Sequence, residues 1–125
     1  AADPVVLVLL ALPAQLHVVA IGVPPPNVSV VDLVFEAARA TSVAEINAAI
    51  KAAADGPLKG ILGYTNEPLV SSDFNHDPHS SIFHMDQTKV MEGKLCRILS
   101  WYDNEWGYSN KIIMLIGKMA AYNNK

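Results

Sequence analysis

The sequence predicts an α+β fold, a mostly antiparallel sheet with helices on one face, and three observations carry that expectation. Several short apolar runs are bounded by glycine, proline or clustered polar residues, as strands are. Two stretches, residues 42–55 and 108–122, instead repeat their apolar residues every three or four positions, as helices do. Glu92-Gly93 sets a tight turn between two strand-like runs, which makes those neighbours antiparallel. A chain of 125 residues suffices for one core and is too short for a nucleotide-binding domain plus a complete catalytic domain.

Residues 4–23 contain no acidic residue, lysine or arginine, which raises a membrane segment as a reading. Pro13, Gln15 and His17 interrupt it and no basic flank precedes it, so it reads instead as a short buried helix over 2–12 followed by a buried strand over 16–23. Pro24-Pro25-Pro26 lacks amide donors and breaks any ladder, and a new strand begins over 27–35 with one mostly buried face. Ser42 and Glu45 have capping-box spacing. The helix behind them lines up Val43, Ile46, Ile50 and Ala53/Ala54 until Gly56-Pro57 stops it, the pattern of a helix lying on a sheet.

A short strand bounded by glycine follows at residues 60–65, then a turn-rich loop over 66–78 with one short strand at 69–71. Residues 80–84 and 88–91 read as two short antiparallel strands joined around Met85-Asp86-Gln87, and 95–102 as a further strand after Glu92-Gly93. The final helix, 108–122, puts Ile112, Ile113, Ile116, Met119 and Ala120 on one side.

Bulk properties exclude some functions. The net charge of -3 and the scatter of single basic residues give no footprint for nucleic acid. One cysteine, Cys96, rules out an internal disulfide framework and fits a reducing compartment such as the cytosol. There is no G-x-G-x-x-G and no Walker-type loop, so this segment does not carry a dinucleotide fold by itself. His76, His79 and His84 are interspersed with Asp73, Asp77 and Asp86, but Pro78 opposes a helical His76/His79 pair, and the pattern reads as a solvated loop with turn-capping aspartates; no metal site is assigned. Cys96 lies in an apolar strand, where cysteine behaves as a small hydrophobe and not as a nucleophile. Asn27-Val28-Ser29 matches a glycosylation sequon by chance, given its expected burial.

The segment Ser100-Trp101-Tyr102-Asp103-Asn104-Glu105-Trp106-Gly107-Tyr108-Ser109-Asn110 is the strongest candidate for contact with a ligand. Asn104 carries both amide donors and a carbonyl acceptor, and Tyr102, Trp106 and Tyr108 offer flat walls. On residue chemistry alone, an aromatic turn that caps a core stands beside that reading.

Five segments together resemble phosphorylating glyceraldehyde-3-phosphate dehydrogenase in order and spacing. They are V-P-x-P-N-V-S-V-V-D-L from Val23, A-A-x-G-P-L-K-G-I-L-G-Y-T ending at Thr65, L-V-S-S-D-F-N ending at Asn75, H-S-S-I-F from His79, and S-W-Y-D-N-E-W-G-Y-S-N from Ser100. The resemblance implies the carboxyl-terminal half of that family's catalytic domain over residues 1–125, with a final helix that packs back on a Rossmann domain this chain does not contain. It implies a glycolytic, cytoplasmic, homotetrameric oxidoreductase that oxidises and phosphorylates glyceraldehyde 3-phosphate with NAD and inorganic phosphate.

Carried over by position, the resemblance gives Asn104 the nicotinamide carboxamide and places Tyr108 close to that ring. It implies that the family's cysteine nucleophile and histidine base lie upstream of Ala1, so no catalytic residue is assigned here. Gly22 stands where the family has a phosphate-binding arginine, and glycine supplies no guanidinium. Val6, Leu7, Leu10 and Val18 replace more polar or smaller residues, and Met114 an acidic one. The chain alone is therefore expected to be inactive, with weak or no NAD binding. The alternative expectation is a non-catalytic interaction module that self-associates or docks a complementary fragment through uncovered strand edges and apolar surface.

Overall fold

A computed structural model of the chain describes residues 15–21 and 27–123. In chain order it contains β1 (Gln15–Ile21), β2 (Ser29–Glu36), α1 (Val43–Asp55), β3 (Leu62–Thr65), a 3₁₀ turn (Ser71–Phe74), β4 (Ser81–Met91), β5 (Leu95–Tyr102) and α2 (Trp106–Asn123). The strands form one sheet in the order β1-β2-β5-β4-β3. Every pairing is antiparallel except β3 with β4. The expected α+β class holds. The helix expected over 2–12 lies outside the described residues.

The core forms where one face of the sheet meets α1. Leu33 and Phe35 of β2, Phe83 of β4, and Cys96 and Ile98 of β5 pack with Ile46, Ile50 and Ala54 of α1 and Leu62 of β3. The alternation of β2 and β5 turns these side chains to one face, and the three-and-four spacing of α1 supplies the matching stripe. Ser42 Oγ accepts the Glu45 N–H at 3.2 Å and starts α1. On the other face Arg97 grips Asp32 with two bonds, Nε to Oδ1 at 2.8 Å and Nη2 to Oδ2 at 2.7 Å. Beside them Val28, Phe74 and Ile82 pack against Trp101. Both faces of β2 are thus partly covered, where the sequence suggested one.

Three local expectations are corrected. Residues 81–91 are one strand and not a hairpin: Met85-Asp86-Gln87 contains no glycine to favour a tight reversal, and none of the three takes positive φ. The surplus instead appears as a shift of register: His84 pairs with Leu99, yet Lys89 pairs with Arg97. Asn47 of α1 satisfies that irregular stretch, donating to Met85 O at 3.2 Å and accepting from Thr88 Oγ1 at 2.8 Å. The strand expected at 69–71 gives way to the 3₁₀ turn, since Asp73 takes the Val70 N–H at 2.8 Å and curls the chain locally. The last helix starts at Trp106, two residues early, for a reason that lies in Asp103.

The turn at Glu92-Gly93 is as expected, with φ of 51° and 73° at the two residues and a Lys94 N–H to Met91 O bond of 3.2 Å closing it.

Candidate functional site: the turn before the last helix

β5 ends at Tyr102 and the chain turns through Asp103-Asn104-Glu105 into α2. Asp103 is buried, 1% exposed. Its Oδ1 accepts the backbone N–H of Glu105 at 3.0 Å and of Trp106 at 2.8 Å, two of the donors that open every helix without an internal partner. Its Oδ2 accepts Asn27 Nδ2 at 2.9 Å and the His76 N–H at 2.8 Å. Burial alone pushes the Asp103 carboxyl upward. The amides of Trp106, His76 and Glu105 and the Asn27 carboxamide outweigh that and hold it below the ordinary carboxylate value.

Around this carboxylate three stretches of chain meet. Asn27 precedes β2 and also donates to Asn75 Oδ1 at 3.0 Å. His76 follows the 3₁₀ turn with φ of 63°, and its ring leans on Trp106 at 5.0 Å between centroids. Gly107 allows α2 to approach this loop, since a Cβ there would lie 2.8 Å from His79 O. Lys111 Nζ reaches across to Gly60 O at 2.7 Å. Burial lowers the Lys111 ammonium from its ordinary value, and the charge of Asp77 works in the opposite direction.

Asn104 sits on the outer side of the turn and is exposed. Helical bonds from Gly107 N–H to Asp103 O and from Ser109 N–H to Glu105 O, each 3.0 Å, bracket it. Asn104 and Tyr108 are therefore one helical turn apart on the same face. Tyr108 is 65% exposed. An exposed carboxamide beside an exposed phenol can hydrogen-bond and stack, and it can orient a planar polar group; it supplies neither a nucleophile nor a strong base.

The other candidates separate from this site. Cys96 is buried in the main core with its thiol directed at Lys94 O, 3.3 Å away, and burial raises its pKa. Asp77 Oδ1 takes the His79 N–H at 2.9 Å and lies 2.7 Å from His79 Nδ1, and no group of three potential metal ligands assembles among the described residues. His84 is buried on the Trp101 side. Because the indole N–H donates to His84 Nδ1 at 3.0 Å, the ring's proton sits on Nε2 and goes to Glu67 O at 2.9 Å. The Asn27 carboxamide nitrogen is engaged inside the Asp103 cluster, which leaves the sequon without a free amide. Gly22 lies outside the described residues.

Asp103, Asn27 and His76 each stand out in the sequence for other reasons, and nothing there brings the three together. The signal for Asp103 was present: an aspartate three positions before Trp106 is an N-cap pattern. Nothing local pairs Asn27 with Asp103, 76 positions away.

The fold and this turn define an α+β domain that exposes a carboxamide on the turn before its last helix while keeping its lone thiol in the core. Residues 1–104 match the glyceraldehyde 3-phosphate dehydrogenase C-terminal domain, and the chain belongs to that family. It is 73% identical over 112 residues to a glyceraldehyde-3-phosphate dehydrogenase of Cereibacter sphaeroides, covering 90% of this chain and 34% of that protein. It is 64% identical over 112 residues to one from Xanthobacter flavus, with 90% and 33% covered, and 51% identical over 121 residues to one from Zymomonas mobilis, with 96% and 36% covered. The chain thus spans about a third of the length of these relatives.

Proposed function

We propose that the chain acts as the carboxyl-terminal part of the catalytic domain of an NAD-dependent, phosphorylating glyceraldehyde-3-phosphate dehydrogenase, and that it lends one wall to the nicotinamide site. The observation that carries this reading is Asn104, an exposed carboxamide held on a turn whose neighbours on both sides are fixed by hydrogen bonds.

The residues fit such a cofactor. A nicotinamide carboxamide needs a donor and an acceptor, and Asn104 presents both; Tyr108, on the same face, offers a ring to limit the space beside it. When bound, NAD supplies the acceptor for the hydride removed from the aldehyde. Asn104 orients, so that one face of the ring is turned to the substrate, and Tyr108 restricts rotation away from that pose. Neither moves a proton. Cys96, closed inside the core, takes no part, and on this reading the attacking thiol and its base are supplied from outside this chain.

Family membership supports glyceraldehyde 3-phosphate and inorganic phosphate as substrates, a homotetramer as the working assembly and the cytoplasm as its place. Among the described residues no helix is long and apolar enough to cross a membrane. With Gly22 at the position the family gives to an arginine, this chain brings no guanidinium to the phosphate there.

The purified 125-residue chain is expected not to reduce NAD in the presence of glyceraldehyde 3-phosphate and phosphate. Reduction at a rate that Cys96→Ser abolishes would overturn the reading. Joined to the first two thirds of the Cereibacter relative, the chain should support turnover.

A second reading has its own observation. Ile113, Ile116, Met119 and Tyr122 of α2 are each more than half exposed, which favours self-association of the isolated chain. Light scattering separates the two: a monodisperse monomer counts against association, and a defined oligomer without NAD affinity favours it.

A further inference from the structure

We propose that Asp103 is a positioning residue for the cofactor contact: by joining three separate segments through one buried carboxylate, it sets the direction in which Asn104 leaves the turn. The inference rests on the nicotinamide reading of Asn104 and names what holds that residue in place.

The geometry is specific. Asp103 immediately precedes Asn104, and its Oδ1 fixes the amides of Glu105 and Trp106 immediately after it, at 3.0 and 2.8 Å. The backbone on both sides of Asn104 is therefore tied to a single group. Its Oδ2 in turn fastens that group to the body of the domain through Asn27 at 2.9 Å and the His76 amide at 2.8 Å. Bonds to an ionised acceptor are shorter and stronger than neutral ones, so four of them make a stiff mount.

Two departures from relaxed structure surround it. His76 holds φ at 63°, unusual for a residue with a side chain, and this conformation delivers its N–H to Asp103. Asn27 directs its amide nitrogen to both Asp103 and Asn75, and its own buried Oδ1 has no partner among the described residues. Such features persist where the surroundings over-determine a geometry.

Asparagine has the shape of aspartate but must present an NH₂ at one end. Whichever way it is turned, two donors then face a donor. Asn27 can rotate its unpartnered oxygen inward to relieve one of these conflicts, but the His76 N–H cannot be relieved in that way. Asp103→Asn is therefore expected to loosen the mount while keeping its volume.

The test is a double-mutant cycle in the dehydrogenase assembled from this chain and the first two thirds of the Cereibacter relative. Asp103→Asn and Asn104→Ala should each raise KM for NAD on the order of tenfold, the scale expected when a positioned group is misplaced. If Asp103 acts through Asn104, the double variant should be no worse than Asn104→Ala alone. Additive losses, or an unchanged KM in Asp103→Asn beside a raised one in Asn104→Ala, overturn the proposal and leave the nicotinamide reading intact. An unchanged KM in Asn104→Ala overturns both. Should Asp103→Asn fail to fold, Asn27→Ala replaces it in the cycle, removing one of the four bonds. It should raise KM severalfold only when Asn104 is present, and an unchanged KM or an effect independent of Asn104 overturns the proposal.

Discussion

The two helices begin alike and end differently. Each opens on a side-chain oxygen that accepts an early amide, Ser42 for α1 and Asp103 for α2, and each repeats apolar residues at three and four. α1 lays Ile46, Ile50 and Ala54 into the core. α2 buries only Gly107, leaving Ile113 at 69% and Ile116 at 60% exposure. Periodicity and caps are local properties and fix where a helix forms. Whether its apolar side is buried depends on a facing surface, which the sheet gives α1 and the described residues do not give α2.

That contrast can be broken or sharpened by substitution, read from urea midpoints of the 125-residue chain at one fixed concentration. The largest loss is expected from Ile50→Ala, about 2–5 kcal/mol, because the side chain is fully buried between α1 and the sheet. Asp103→Asn should follow at about 1–3 kcal/mol, for the His76 N–H left facing a donor.

The loss at Asp103 depends on pH. Its folded pKa is depressed, so its stabilisation is complete above the unfolded carboxylate value of about 3.9 and disappears as pH falls through the folded value. The gap between parent and Asp103→Asn should therefore be constant from neutral pH to about pH 5 and shrink below about pH 4. A gap that widens with acid would contradict this assignment.

Gly107→Ala should destabilise by about 1–3 kcal/mol, since the added methyl meets a backbone oxygen that has no side-chain freedom to move. Ser42→Ala should cost about 1 kcal/mol, the usual loss for an N-cap hydroxyl. Ile113→Ala should change stability by no more than about 0.5 kcal/mol, because little apolar contact is lost at an exposed helix position. A loss at Ile113 as large as that at Ile50 would show that α2 is covered in solution by another copy of the chain.

Much of the fold was legible. The strands at residues 29–36 and 95–102, α1 with its Ser42 cap, and the reversal at Glu92-Gly93 each follow from signals a few residues long. Asn104 and Tyr108 stand out through the polar aromatic segment and the family resemblance; that they share a face follows only from helical bonding that starts before Tyr108. What escaped was settled by contacts between distant residues. Asn47 looked like a solvent-facing helix position, yet it supports the irregular stretch of β4, so that 81–91 runs on as one strand. Asp103 read as one more polar turn residue, because its importance comes from Asn27 and His76, and neither is near it in sequence.

The pairing of β2 with β5 has a consequence for how the chain reaches this structure. Ser29 lies opposite Tyr102, so closing that ladder joins residues far apart in the sequence, and the Asn27 to Asp103 bond, across 76 positions, forms only where it closes. Closing a loop of that length costs chain entropy before any contact offsets it, which slows folding compared with local pairings such as β4 with β5. During synthesis β2 emerges before β5 and waits until that partner is made. The turn that carries Asn104 then takes shape only late, and its arrival reports that β2 and β5 have paired.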